Sequence, residues 1–340
     1  MHTDVDTQLT ALESVDVVRD WHSRLAAREM SFRRAAEVVA AARQAREYMR
    51  NANGAAQTVR PLLTYYGNAS LARSLILLLK RDGGEETLTK SHGLETVGWA
   101  SQLSTKMPES LPQLLDLSIR STVGLFSELL VVTENTNCIH VRSARVDWRL
   151  PYPVPPVGMQ LTLGDLMTRL PDLVPEHSQY TARWALAAVS DMTFSTESGL
   201  RISAKGDPLN AVKADYIAAG YSLEGSGGTL QLTCSAPICE VSPPQFTHTY
   251  VRKMFGSIPT LHLVPPLREN ARLSQIAVTL ALSYVLGMLT RYFPTHWMAL
   301  QSGTTGDGLW PIVLGAQGYV ERAFPELVLE YLYDCLSPAQ

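Results

Sequence analysis

The sequence predicts a mainly α fold of the α+β kind: a helical bundle formed by N- and C-terminal helices, with a small antiparallel β-containing insert between them. Three observations predict it. Leu71 to Leu79 places apolar side chains on nearly every side of a helical wheel, and Leu273 to Thr290 does so again, so each segment must be covered by protein all round. Two uncharged helices far apart in the chain are most simply covered by each other, which joins the two ends of the chain in one core. Between them, β-branched residues and turn residues replace the helical pattern. The expected organisation is an N-terminal helical part over 1–135, an insert over 136–268, and C-terminal helices over 269–340 that pack on the first part.

The elements follow in order. Leu9, Leu12, Val15, Val18, Trp21 and Leu25 have period-3.6 spacing, so residues 8 to 29 read as one amphipathic helix. Ser31 caps a second helix, Phe32 to Met49, whose alanines favour close packing. Asn51-Ala52-Asn53-Gly54 stops it. The central helix runs from Arg60 to Lys80, with Pro61 in its first turn and Gly67 and Ser70 allowing a neighbouring backbone to come close. After Asp82-Gly83-Gly84, Ser91 to Leu94 reads as a polar loop. Leu125 to Val132 and Cys138 to Val141 read as short strands around Asn135-Thr136-Asn137. Pro151 to Pro156 breaks the chain, and a short helix starts after Thr162. Ile202 to Ala204, Ala214 to Leu223 and Thr229 to Thr233 read as a small antiparallel sheet, with Thr260 to Val264 a further strand. Leu273 to Thr290 is the second all-round apolar helix, ended by Pro294. Pro311 starts another, and Phe324, Leu327, Val328, Tyr331, Leu332 and Cys335 give the last helix its apolar face.

The chain has 340 residues, 46% apolar and 18% charged, which is the composition of a globular protein. A net charge of −3 argues against a protein that coats nucleic acid non-specifically. Cys138, Cys234, Cys239 and Cys335 form neither a zinc ribbon nor a disulfide framework, so reduced thiols in a cytoplasm are expected. Residues 1 to 20 carry acids and no apolar run, so no secretory signal is expected. Ile276 to Leu289 is shorter than the roughly 20 residues of a membrane span, and a buried core helix is expected instead. No cofactor, no metal and no membrane association are expected, and the oligomeric state is open.

Three runs taken in order resemble the YaaC-like family of bacterial proteins. They are Arg60-Pro61-Leu62-Leu63 through Tyr65-Tyr66-Gly67 to Leu71-Ala72, then His92-Gly93-Leu94, then Met288 to Tyr292 with Pro294, Trp297 and Phe324-Pro325-Glu326-Leu327. Leu161 to Leu166 is similar to that family's middle segment. The resemblance implies a mostly helical cytoplasmic protein and carries over no catalytic residue.

Arg291 and His296 have the R-x4-6-H spacing of the HEPN ribonucleases, themselves small helical bundles. In that chemistry the arginine stabilises phosphate charge and the histidine moves the 2′-hydroxyl proton, with no metal. Against it, the same spacing arises by chance in a chain of this length, Pro294 falls inside it, and Arg291 also suits a helix C-terminus. Arg60, Tyr66 and His92 could line one small-molecule pocket, while His92 could equally fix its own loop. Arg43, Arg46 and Arg50 form a basic stripe that could meet phosphates; the plainer reading is an exposed face partly neutralised by Glu47. Cys138 and His140 alternate on an expected strand without a second ligand pair. Gly225 to Gly228 lacks the lysine and Ser/Thr of a phosphate loop and reads as a hairpin turn.

The expected function is a non-catalytic cytoplasmic binding or regulatory protein, acting through its helical surface on a protein or nucleic-acid partner. The alternatives are a HEPN-like endoribonuclease using Arg291 and His296, as a toxin or phage-defence effector, and a small-molecule enzyme with a pocket near Arg60, Tyr66 and His92.

Overall fold

A computed structural model describes residues 2–104, 110–139, 148–173, 187–195, 199–205, 214, 217, 220–226, 229–234, 248–253, 260–303 and 307–337. The fold is mainly α with small antiparallel sheets. The chain divides into two units, one of residues 1–135, 154–164 and 275–340, the other of 136–153 and 165–274.

The first unit is built around α4 (Arg60–Leu79). α3 (Phe32–Gly54) forms a hairpin with it, while α8 (Gln275–Tyr292) and α10 (Trp310–Leu336) pack on its other sides. The two apolar helices therefore cover each other. Glycine sets how closely they approach. A Cβ at Gly67 would stand 2.9 Å from Met49 Cγ of α3, and one at Gly287 of α8 would stand 2.8 Å from Tyr65 Cβ. Every residue of α8 from Gln275 to Thr290 is buried. Among the described residues no single helix is long and apolar enough to cross a membrane.

Polar groups tie the same helices together. Ser74 Oγ donates to Val38 O at 3.1 Å, and Asn68 Nδ2 donates to Ser283 Oγ and Val320 O at 3.0 and 3.2 Å. The last carbonyls of α4 have no partner within the helix and need donors from elsewhere. Arg34, 9% exposed, supplies them. Its guanidinium reaches Leu77 O at 2.8 and 3.1 Å, Arg81 O at 3.0 Å, and Lys80 O. His22 Nδ1 lies 2.8 Å from Leu78 O. Burial, with Arg34 and Arg28 nearby, holds the His22 pKa below the usual range.

Several local expectations are corrected. Residues 8 to 29 are not one helix: α1 (His2–Leu9) and a 3-10 turn (Thr10–Glu13) precede α2 (Val15–Ala26). Ser14 breaks the run because its side chain accepts from Val17 N and caps α2. His92 lies not in a loop but on strand β1 (His92–Val97), paired antiparallel with β2 (Ser118–Gly124), which pairs in turn with β5 (Gln160–Thr162). Gly93, at φ 72°, makes the bulge that starts this pairing. Leu125–Val132 is helix α6, not a strand. Phe126, Leu129 and Leu130 share its buried face while Val131 is exposed, so the i, i+3, i+4 pattern outweighs β propensity. Between β1 and β2 the short α5 (Trp99–Gln102) buries Trp99. At the C-terminal end α9 (Pro294–Gln301) follows α8, and α10 continues through Pro325 rather than forming two helices.

The second unit holds a two-stranded sheet of β3 (Thr136–Ile139) and β4 (Trp148–Pro151). It also holds a six-stranded antiparallel sheet in the order β10 (Thr249–Val251), β11 (Leu261–Leu263), β6 (Ala187–Ser195), β7 (Gly199–Lys205), β9 (Thr229–Cys234), β8 (Ser222–Ser226). β8 and β9 are hairpin partners with Ser226 opposite Thr229, so a turn joins them; Gly227 and Gly228 lie outside the described residues. Ala214 and Ile217 are helical, so no strand starts at 214. The short α7 (Leu163–Met167) follows Thr162. Cys138 is buried on β3, and His140 lies outside the described residues.

Candidate functional site

In the first unit a cavity of about 770 Å³ is walled by α1 and the 3-10 turn, α3, α4 and α10. Helical spacing makes its polar wall. Arg60, Thr64 and Asn68 are four apart on α4, and Gln317 and Glu321 are four apart on α10, so each set lies along one helix face. Arg60 donates Nε and Nη2 to the two oxygens of Glu321, both at 2.5 Å. This bidentate pairing raises the Arg60 pKa still further, against a smaller effect of burial. Thr64 Oγ1 lies 2.9 Å from Arg60 O and 3.2 Å from Glu321 Oε1. Gln317 Nε2 donates to Thr64 Oγ1 at 2.9 Å and to Glu321 Oε1 at 2.8 Å.

This network consumes donors and strands acceptors. Asn68 Nδ2 faces a carbonyl and Gln317 Nε2 faces a carboxylate, neither of which can donate, so the opposite atoms of both amides are their oxygens. Asn68 is 0% and Gln317 2% exposed, and Asn68 Oδ1 and Gln317 Oε1 have no hydrogen-bond partner among the described residues. Gln57 Oε1, on the same lining, also has none. Leaving such an oxygen buried and unpaired costs roughly 1–3 kcal/mol.

Nearer the surface lie Arg46 and Arg50 of the basic stripe. Arg46 grips Glu13 with Nε at 2.7 Å and Nη2 at 2.8 Å, Arg43 lies 3.9 Å from the same carboxylate, and Arg50 donates to Glu47 at 2.6 Å. Two of the three arginines thus fasten the 3-10 turn to α3. The stripe is less a free cationic face than a clasp.

Tyr66 and His92 line a second pocket of about 590 Å³ with Tyr48, Arg73 and Lys90. Arg60 does not join them. Tyr66 comes six positions later on α4, which turns the two side chains to different sides of the helix. Tyr65 Oη lies 2.7 Å from His92 Nδ1. The phenol is 1% exposed and its proton has no other acceptor, so it donates to Nδ1 and His92 carries its own hydrogen on Nε2. Burial raises the Tyr65 pKa, while burial and the Arg291 charge lower that of His92. Tyr65 also packs edge-on to Tyr284 at 5.4 Å.

Arg291 and His296 sit on separate helices, since α8 and α9 meet at a 102° bend. Arg291 Nη1 donates to Tyr66 Oη at 2.7 Å, and its guanidinium lies 5.0 Å from the Tyr292 ring centroid. His296 instead meets the Phe293 ring at 6.1 Å and the backbone of Leu103. Burial lowers its pKa more than Leu103 raises it. Neither residue lines either pocket.

Sequence reasoning missed Thr64, Asn68, Gln317 and Glu321. A signal for the first two was present: Arg60, Thr64 and Asn68 make a polar stripe on a helix that is otherwise apolar, and a buried amide there demands a partner. Gln317 and Glu321 carried no comparable signal, because polar residues on a C-terminal helix ordinarily face water. Among the described residues no group of His, Cys, Asp or Glu is placed to hold a metal.

The fold and cavity define a helical protein with a pocket between its helices and a β-rich unit inserted in its sequence. The chain belongs to the YaaC-like protein family, whose model matches residues 10–332. No curated protein and no solved structure matches it.

Proposed function

We propose that this is a cytoplasmic, non-catalytic binding protein that holds a small polar molecule in the cavity between α1, α3, α4 and α10 and through it regulates a partner at its helical surface. The observation that carries this reading is a cavity of about 770 Å³, large enough for an organic molecule, with Arg60, Thr64, Gln317 and Glu321 among its lining residues. α10 closes that cavity, so an occupant would bias how α10 and α1 sit on α4. A ribonuclease acting through Arg291 and His296 has less in its favour, because the two side chains have different partners and line neither of the two pockets described above. Tyr66 and His92 on the second pocket favour the small-molecule enzyme as the other reading.

The test is retention of small molecules. Purified full-length protein is equilibrated with a small-molecule cell extract, passed through a desalting column, denatured, and its released contents identified by mass spectrometry. Leu314, exposed at the cavity edge, is replaced with Trp to obstruct it. Retention by wild type and loss in Leu314→Trp is the expected result; no retention, or equal retention by both, overturns the reading.

A further inference from the structure

We infer that the second pocket, between α3, α4 and the start of β1, is a site for a phosphate monoester, with Arg73 and Lys90 balancing its charge and the Nε2–H of His92 donating to one of its oxygens. This site is separate from the larger cavity and does not depend on what that cavity holds.

Helix periodicity builds one wall of the pocket. Tyr66, Ser70 and Arg73 fall at i, i+4 and i+7 on α4, and Gln44 and Tyr48 at i and i+4 on α3, so each set shares a helix face. Ser70 Oγ donates to Gln44 Oε1 at 3.2 Å, and the Tyr48 and Tyr66 rings stack at 5.6 Å, which ties the two faces together. The other wall is the chain entering β1, Leu88 to His92. It is fastened to α6 by Thr89 N, which donates to Glu128 Oε1 at 2.9 Å, and by Ser91 O, which accepts from Leu125 N at 3.0 Å.

The charges on this lining are unequally committed. Glu128, its carboxylate, already accepts from Thr89 N and lies 4.0 Å from Lys80 Nζ. The cations are freer. Arg73 stands 3.7 Å from Glu85, too far for a hydrogen bond, so its N–H hydrogens are unspent. The exposed Lys90 ammonium has no partner among the described residues. His92 adds a neutral donor. Tyr65 donates to its Nδ1 and leaves the hydrogen on Nε2, which has no partner among the described residues and, unlike Asn68 Oδ1 or Gln317 Oε1, is not sealed from solvent.

This set matches a phosphate monoester better than a carboxylate. A monoester carries a charge of about −1.5 to −2 at pH 7 on three terminal oxygens, which two cations and one neutral donor can answer together. A carboxylate, with a single charge, leaves one cation unanswered. The pocket volume of about 590 Å³ exceeds what a bare phosphate fills, and the stacked Tyr48 and Tyr66 rings offer a surface for the organic part of the ester.

Phenyl phosphate is the probe, with benzoate as the carboxylate of similar shape and phenol as the uncharged ring. Isothermal titration of full-length protein at fixed ionic strength is expected to show phenyl phosphate binding, with benzoate severalfold weaker and phenol roughly tenfold weaker or more. Lys90→Gln, at an exposed position, is expected to weaken phenyl phosphate severalfold without moving the thermal midpoint. Leu314→Trp, which obstructs the larger cavity, is expected to leave this binding unchanged. Imidazole nitrogen NMR, with the His92 signals identified by their loss in His92→Gln, is expected to show the Nε2–H tautomer and a shift of Nε2 when phenyl phosphate is added. No binding of phenyl phosphate, equal binding of benzoate or phenol, an affinity unchanged in Lys90→Gln, or an unmoved His92 Nε2 signal overturns the inference. Loss of binding in Leu314→Trp also overturns it, because the probe would then occupy the larger cavity.

Discussion

Replacing Arg34 with methionine keeps most of its apolar stem and removes the guanidinium that, beside His22, caps the end of α4. Three carbonyls then lose their donor, those of Leu77, Lys80 and Arg81. They are not equal: Leu77 is 0% exposed, whereas Lys80 and Arg81 are open enough for water to replace the guanidinium. The buried carbonyl alone costs roughly 1–3 kcal/mol when orphaned, and a hydrogen bond from a charged donor contributes about 1.5–3 kcal/mol. Against this, burial lowers the Arg34 pKa, so the fold already bears part of the cost of desolvating the charge. The net expectation is a loss of about 2–4 kcal/mol. Urea unfolding followed by far-UV circular dichroism measures it as a lower midpoint at unchanged slope. Arg33→Met is the control, since that side chain is 77% exposed and its surface pairings with Glu37 and Glu86 should each be worth about 0.2–1 kcal/mol at most. If both variants unfold at the same midpoint, the cap has been assigned a role it does not have.

Four further outcomes are expected. Gly287→Val should destabilise by about 1–3 kcal/mol through the collision with Tyr65, and thermal unfolding no earlier than wild type would contradict the close approach. Glu321→Gln should cost more than the double variant Arg60→Met with Glu321→Met, because only the single change leaves a partly buried guanidinium short of its counter-charge; equal midpoints would contradict this. Burial takes the His248 and His262 pKa values down from 6.5 to about 4, more than the neighbouring carbonyls raise them. The fold therefore prefers both rings neutral: stability is complete above pH 6.5 and falls as the pH drops toward 4, by up to about 3 kcal/mol for each ring. Unfolding midpoints independent of pH across that window would refute it. Purified wild type incubated with total RNA should leave it intact; cleavage abolished by His296→Ala would instead restore the ribonuclease.

The two ends of the chain could be joined from the sequence because α4 and α8 carry apolar residues on all sides, and each such surface must be covered by protein. Positions that depended on a partner were harder to read. His92 looked like part of a loop because Gly93 and Ser91 are turn formers, but β2 supplies the hydrogen bonds that make it a strand. Leu125 to Val132 is rich in residues that suit either state, and its packing on α4, α8, β1 and β2 decides which face is buried. In the candidate site, Arg60, Arg46, Arg50, Tyr66 and His92 all line pockets, yet their grouping differs from the expected one. Rotation about α4 separates Arg60 from Tyr66, and Pro294 turns Arg291 and His296 into different helices. Spacing along a chain records neighbours on one helix, not the direction in which the next helix leaves.

Arg34 and His22 also bear on the order of events at the ribosome. Both caps of α4 come from residues synthesised before it, so the α3–α4 hairpin can seal its end as soon as it emerges. Its other flank has to wait. From Leu79 to Gln275 roughly 200 residues must be made before α8 arrives, and until then the side of α4 that faces Gly287 lies open to water. A nascent chain stalled between those points would carry a finished helical cap beside an uncovered greasy seam, the kind of surface that chaperones bind.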